Sequence, residues 1–135
     1  MFEFLNDLSI FLIPFLIGSL VFFSSIVAPN TFINLDEKSA RKFIRTLFPK
    51  IYTYAAILSL LISIFLLKVE VFYSFIFFVI SLGYIYSKFF LMKKINHASD
   101  MKDDNKFKIL HRFSVIIFIL QLILMGFIYY LLMNQ

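Results

Sequence analysis

Residues 23–43 read FSSIVAPNTFINLDEKSARKF. The stretch opens as a lipid-soluble helix and closes as a charged strip, with the border at Ala28, Pro29 and Asn30. Pro29 has no amide hydrogen and pushes Ala28 away from helical geometry, so the first apolar helix is expected to end there. Asn30 and Thr31 are suited to bond freed carbonyls or start a turn, and Asp36 is suited to cap the next helix. From Ala40 onward, Phe43, Ile44, Leu47 and Phe48 recur at helical spacing, and Lys38, Arg41, Lys42 and Arg45 fill the remainder. That pattern predicts a short amphipathic helix lying in the headgroup layer between two membrane spans.

The rest of the chain supplies those spans. Apolar runs cover residues 8–28, 51–67, 71–90 and 113–133, and a bilayer crossing needs about 20 residues. Phe48 and Pro49 extend the shortest run, since proline suits a first helical turn. The runs take up most of the 135 residues, 61% of which are hydrophobic. Residues 1–135 therefore form a single transmembrane domain, all-α, an integral membrane four-helix bundle. Glu3, Asn6 and Asp7 precede the first run, with no Lys or Arg. A signal peptide needs a basic start, so the run is expected to stay as a helix.

Charge sets the orientation. Lys68–Glu70 is just long enough to turn a helical hairpin. The other two connections, 30–50 and 88–112, carry every basic residue of the chain except Lys68. Basic residues near span ends stay on the cytoplasmic side. Both long connections are thus expected in the cytoplasm and both termini outside, in a cell (inner) membrane. Lys88 lies near enough to the cytoplasmic end to snorkel. The basic helix face also suits anionic lipid headgroups, although the orientation rule by itself accounts for the charge. Paired aromatics are few among these basic residues, so nucleic-acid binding is not expected.

Small and polar residues mark the faces where membrane helices meet. Pro14, Gly18, Phe22 and Ser25 share one face of the first span. Ala55, Ser59 and Ser63 form a stripe on the second. Ser74, Ser81, Tyr84 and Lys88 share a wedge of the third. The fourth helix is expected to start near Asp103 or Asp104, with Phe107, His111, Ser114, Phe118, Gln121 and Met125 along one wedge. Gln121 falls at mid-membrane, where an amide needs a partner; a serine or a backbone carbonyl is the expected one.

The chain has no Cys, which excludes disulfides and thiolate sites. It has no phosphate-cradling Gly loop and none of the common hydrolase motifs. No Asp or Glu lies in mid-span, as proton and cation relays need. His97 and His111 are the two histidines; one lies in a connection and the other at a helix mouth, whereas haem in a bundle usually takes histidines inside the spans. His97, Asp100, Asp103 and Asp104 match no specific metal-ligand spacing.

The opening stretch also carries a resemblance. "VAPNTF", "LD", the small Ala40 and "LFP" resemble the family catalogued as domain of unknown function 4149, which is similar to the eukaryotic transmembrane protein 205 group. "INHASD" and "FKILHRFSV" resemble the same pattern through Asn96, Asp100, Phe107, Leu110, His111, Arg112 and Ser114. The resemblance implies a four-helix membrane protein without an assigned reaction.

The expected function is membrane binding or an accessory role, with no cofactor and no catalytic or metal-binding residue. The candidate binding residues are Pro29, Asn30, Phe32, Asn96, Asp100, His111, Arg112, Ser114 and Gln121. His111 and Arg112 are expected to meet the Ala28–Phe32 turn at the cytoplasmic mouth. Two alternatives stand beside this reading. One is a subunit of a small-solute transporter or channel, with a path past Ser59, Ser81 and Gln121. The other is a membrane enzyme or haem protein using His111. A second copy of the chain or another membrane protein is a possible partner.

Overall fold

The computed structural model describes residues 1–135 and is helical almost throughout, without strands. Eight segments build four rods. The first rod is α1 (Phe2–Phe22), a π turn (Phe23–Val27) and α2 (Ala28–Asn34). The second is α3 (Glu37–Leu66). The third is α4 (Val71–Tyr86), a second π turn (Ser87–Leu91) and α5 (Met92–Asp100). The fourth is α6 (Asp104–Met133). Rods of 33, 30, 30 and 30 residues measure about 45–50 Å at 1.5 Å per residue, well beyond the ~30 Å hydrocarbon core of a bilayer.

Pro29 does not end the first helix. In a regular helix its ring would meet the Ser25 carbonyl four residues back. The chain widens just ahead of it: the Ala28 N–H bonds the Phe23 carbonyl, five residues back. Asn30 Nδ2 and Thr31 Oγ1 then bond the carbonyls of Ile26 and Val27, each at 2.8 Å. The rod continues to Asn34 and stops where Leu35 turns extended.

The amphipathic stretch after Asp36 is helical, but it is no separate interfacial helix. It forms the first turns of α3, which runs unbroken through Pro49 into the second span. Asp36 is its N-cap, accepting from the Ser39 N–H at 3.2 Å. Asp103 caps α6 in the same way, accepting from the Lys106 N–H at 3.2 Å. The long charged connections are therefore mostly helix. Leu35–Asp36 and Met101–Asp103 alone link the rods at that end, and Leu67–Glu70 closes the hairpin at the other. All three links are short, so consecutive rods are antiparallel.

The rods form a ring in which α1 packs on α3 and α6, and α4 packs on the same two. The core holds Ile13, Leu16, Leu20, Ala55, Ile62, Leu66, Phe77, Ile80, Tyr84, Met125 and Ile128, all essentially inaccessible. The Ala55–Ser59–Ser63 stripe faces inward as expected. The face of α1 differs from the expectation. Pro14, Gly18, Phe22 and Ser25 are exposed, and a Cβ on Gly18 would meet nothing within 4 Å. Ser9, Ile13, Leu16 and Leu20, and Phe23 of the π turn, are buried instead; the aliphatic Ile13, Leu16 and Leu20 fill the gap between α3 and α6 that small residues would leave open.

Only 25 of 135 residues are buried, and most Phe side chains point outward. So much exposed apolar surface is untenable in water and normal in lipid. The chain is a multi-pass membrane protein.

Candidate functional site at the basic end

Inside the bundle, polar groups pair with one another. Ser63 Oγ donates to the Ser74 carbonyl at 2.8 Å, and Ser74 Oγ donates to the Ser63 carbonyl at 2.7 Å. Ser81 Oγ donates to the Ala56 carbonyl at 2.8 Å. Gln121 Nε2 donates to the Ile80 carbonyl at 3.1 Å, the backbone option expected for it. Gly83 makes this possible: a Cβ there would stand 2.5 Å from Gln121 Nε2. Two buried hydroxyls, of Ser59 and Tyr84, have no hydrogen-bond partner.

The charged end is open and built differently. The first turns of α3 and the last turns of α5 project side by side. Arg45 reaches from α3 to Asp100 on α5, with Nη2–Oδ1 at 2.6 Å and Nη1–Oδ2 at 3.3 Å. Its Nη2 also donates to the Asn96 carbonyl at 3.4 Å. This two-pronged grip is the geometry in which guanidinium binds carboxylate best. Arg41 pairs with Glu37 one turn away, at 3.0 Å. Asp36, Glu37, Lys38, Arg41, Lys42, Arg45, Thr46 and Asp100 line an open cleft of about 640 Å³. Arg45 holds the Asp100 carboxyl below the usual carboxylate range, first by hydrogen bonding and then by charge, with Arg41 and His97 adding to it. Ser39, through its side chain and then its backbone N–H, does the same for Asp36.

A lowered carboxylate pKa contributes stability that is present above the ordinary value near 4 and lost as pH falls through the folded value. The Arg45–Asp100 clamp is therefore expected to stay closed and pH-independent from pH 5 to 8, opening only in stronger acid. Hydrogen exchange at residues 96–103 checks this. Asp100→Asn should lower the protection factors there at pH 7 to values wild type reaches only at low pH; unchanged protection in the variant would mean the clamp holds nothing.

The expected site residues thus divide. Asn96 and Asp100 are brought together, on a partner, Arg45, that the sequence presented only as one charge of a solvated face. Pro29, Asn30 and Phe32 are exposed on α2. The Asn30 amide is engaged with Ile26 on its own helix. His111 is exposed on α6 and stacked on Phe107, with ring centres 5.7 Å apart and planes 5° apart. Arg112 is exposed, and Ser114 bonds the His111 carbonyl at 2.7 Å. Neither His111 nor Arg112 hydrogen-bonds the 28–32 segment, whose neighbours are α3 and the first π turn. No three His, Asp or Glu side chains gather as metal ligands would.

A second polar cleft lies nearer the membrane, between α3 and the second π turn. Lys88 Nζ donates to Thr53 Oγ1 at 2.7 Å, and that hydroxyl donates to the Pro49 carbonyl at 2.8 Å. Lys50 completes the lining.

The sequence model for Domain of unknown function (DUF4149) matches residues 11–104. The chain belongs to this family. The match runs from residue 11 in the first rod through the second and third rods to the first residue of α6, so both clefts lie within the DUF4149 region. His111, Arg112, Ser114 and Gln121 lie beyond it. No curated protein and no solved structure matches the chain.

Proposed function

We propose that this DUF4149 protein is a small accessory protein of the cell membrane that works as a packed scaffold and binds anionic groups at its basic end. That end faces the cytoplasm, with both termini outside, as the distribution of Lys and Arg favours. The observation that carries the reading is the contrast between the two halves. In the membrane interior Ser63, Ser74, Ser81 and Gln121 are taken up in helix-to-helix bonds, whereas the basic end offers two open polar clefts. Anionic lipid headgroups, a second copy of the chain or another membrane protein are the partners such an end suits. A likeness to the eukaryotic transmembrane protein 205 group belongs to the same proposal and rests on the "VAPNTF" and "FKILHRFSV" stretches.

A second reading, a subunit of a small-solute transporter or channel, draws on one observation: the unpartnered buried hydroxyls of Ser59 and Tyr84. Accessibility separates the two. The chain has no Cys, so Ser59→Cys, Ser81→Cys and Gln121→Cys each give a single probe. In native membranes a packed scaffold leaves all three unlabelled by a small water-soluble thiol reagent. Labelling of all three would establish a water path and overturn the scaffold reading. The third reading, haem bound through His111, predicts a Soret band in protein expressed with haem supply.

A further inference from the structure

We propose that Lys50 and Lys88 form a binding site for a phosphate-bearing anion, built around Thr53 at the membrane surface. The proposal deepens the reading of the basic end as a binding surface and rests on it. Three observations converge.

The first is chemical. The cleft of about 260 Å³ is lined by Pro49, Lys50, Thr53 and Lys88, and contains no carboxylate. Neither lysine makes an ion pair, whereas Arg41 and Arg45, deeper in the charged end, are both matched by acids. Two unmatched ammonium groups in one cleft repel each other, and an anion between them removes that cost.

The second is positional. Lys88 is half-buried and fixed. Thr53 Oγ1 accepts one of its three N–H bonds, and the Phe89 ring lies 4.9 Å from Nζ. Thr53 is itself aimed by its bond to the Pro49 carbonyl. A lysine merely snorkelling to water needs no such support; this one has two further N–H donors and lines an open cleft.

The third is depth. Lys50 lies about 24 Å along α3 from Leu66, and Lys88 about 25 Å along its rod from Val71. α3 ends and α4 begins at the same hairpin. The two ammonium groups therefore stand near the same level, where a ~30 Å hydrocarbon core gives way to lipid phosphates. Exposed Phe89 and Phe90 beside them offer acyl chains an apolar surface. Basic pockets between spans at this level suit anionic headgroups.

Native mass spectrometry of the full-length protein tests this. Protein is released from nanodiscs of phosphatidylcholine with phosphatidylglycerol; a parallel arm uses inorganic phosphate in detergent without lipid. Wild type is expected to retain phosphatidylglycerol over phosphatidylcholine. Lys50→Gln/Lys88→Gln is expected to retain it about thirty-fold less well. Lys50→Arg/Lys88→Arg should restore retention, which excludes misfolding as the cause. Lys93→Gln/Lys94→Gln, an equal loss of charge farther along the rod, should leave it unchanged. A phosphate adduct that depends on Lys50 and Lys88, with no lipid preference, would assign the site to a free anion. Equal losses in the two Gln pairs would reduce the effect to general surface charge and overturn the proposal. So would retention of neither probe by wild type. Either result leaves the accessibility test of the scaffold reading independent.

Discussion

Replacing Ser74 with leucine is expected to destabilise the bundle by about 3 kcal/mol or more. Ser74 is 2% exposed, against Ser63 at 5%. The hydroxyls are 3.2 Å apart, and each bonds the other residue's carbonyl. The helices meet this closely because both residues are small. A leucine at either position loses the reciprocal bonds and also forces α3 and α4 apart over their longest contact. Ser74→Ala keeps the close approach and loses only the hydroxyl, at about 1 kcal/mol. Ser25→Leu, on the outer face of the first rod's π turn, should be nearly neutral. The midpoint of SDS-induced unfolding in mixed micelles, read by tyrosine fluorescence, orders the three variants. Ser74→Leu unfolding no earlier than Ser74→Ala would show that the pair does not set the helix spacing.

The second large effect is a coupling. Gly83→Ala should destabilise the wild type by about 1 kcal/mol, because its Cβ displaces Gln121 from the Ile80 carbonyl. Gln121→Ala removes the same bond and leaves a small void, at a cost of about 1–3 kcal/mol. In the Gln121→Ala background the clash is gone. Gly83→Ala should then be neutral or stabilising, since alanine suits a helix interior better than glycine by about 0.5–1 kcal/mol. The cycle is expected to show about 1–2 kcal/mol of coupling. An equal penalty for Gly83→Ala in both backgrounds would mean that Gly83 serves something other than Gln121.

The features legible in the sequence are the local ones. Runs of apolar residues, the caps Asp36 and Asp103, and the turn at Lys68–Glu70 depend on neighbours a few residues apart, and each stands where the pattern predicted. The Ala55–Ser59–Ser63 stripe was readable because small residues four apart share a helix face. Pro29 misled for a physical reason. The proline rule holds for a regular helix, and the π turn ahead of Pro29 moves the offending carbonyl out of register, while lipid favours keeping the helix over exposing backbone. The two charged connections, read as a short interfacial helix and a linker, are extensions of the spans. The Arg45–Asp100 clamp bridges 55 residues, and nothing local distinguishes Arg45 from the lysines and arginines around it. Lys88 was legible as a snorkelling residue, but its seat on Thr53 was not, because that contact depends on how α3 and the second π turn meet. Gly83 carried no signal of its own; its role appears only once Gln121 lies across it.

The central claim is that four crossings bring both charged helix extensions to one side of the membrane. Single-cysteine labelling with a membrane-impermeant maleimide, on intact cells and on inverted vesicles, tests it most directly. Lys42→Cys and Lys102→Cys are predicted to label together and only in inverted vesicles, and Lys68→Cys only on intact cells. Labelling of Lys42→Cys and Lys102→Cys from opposite sides would contradict the account.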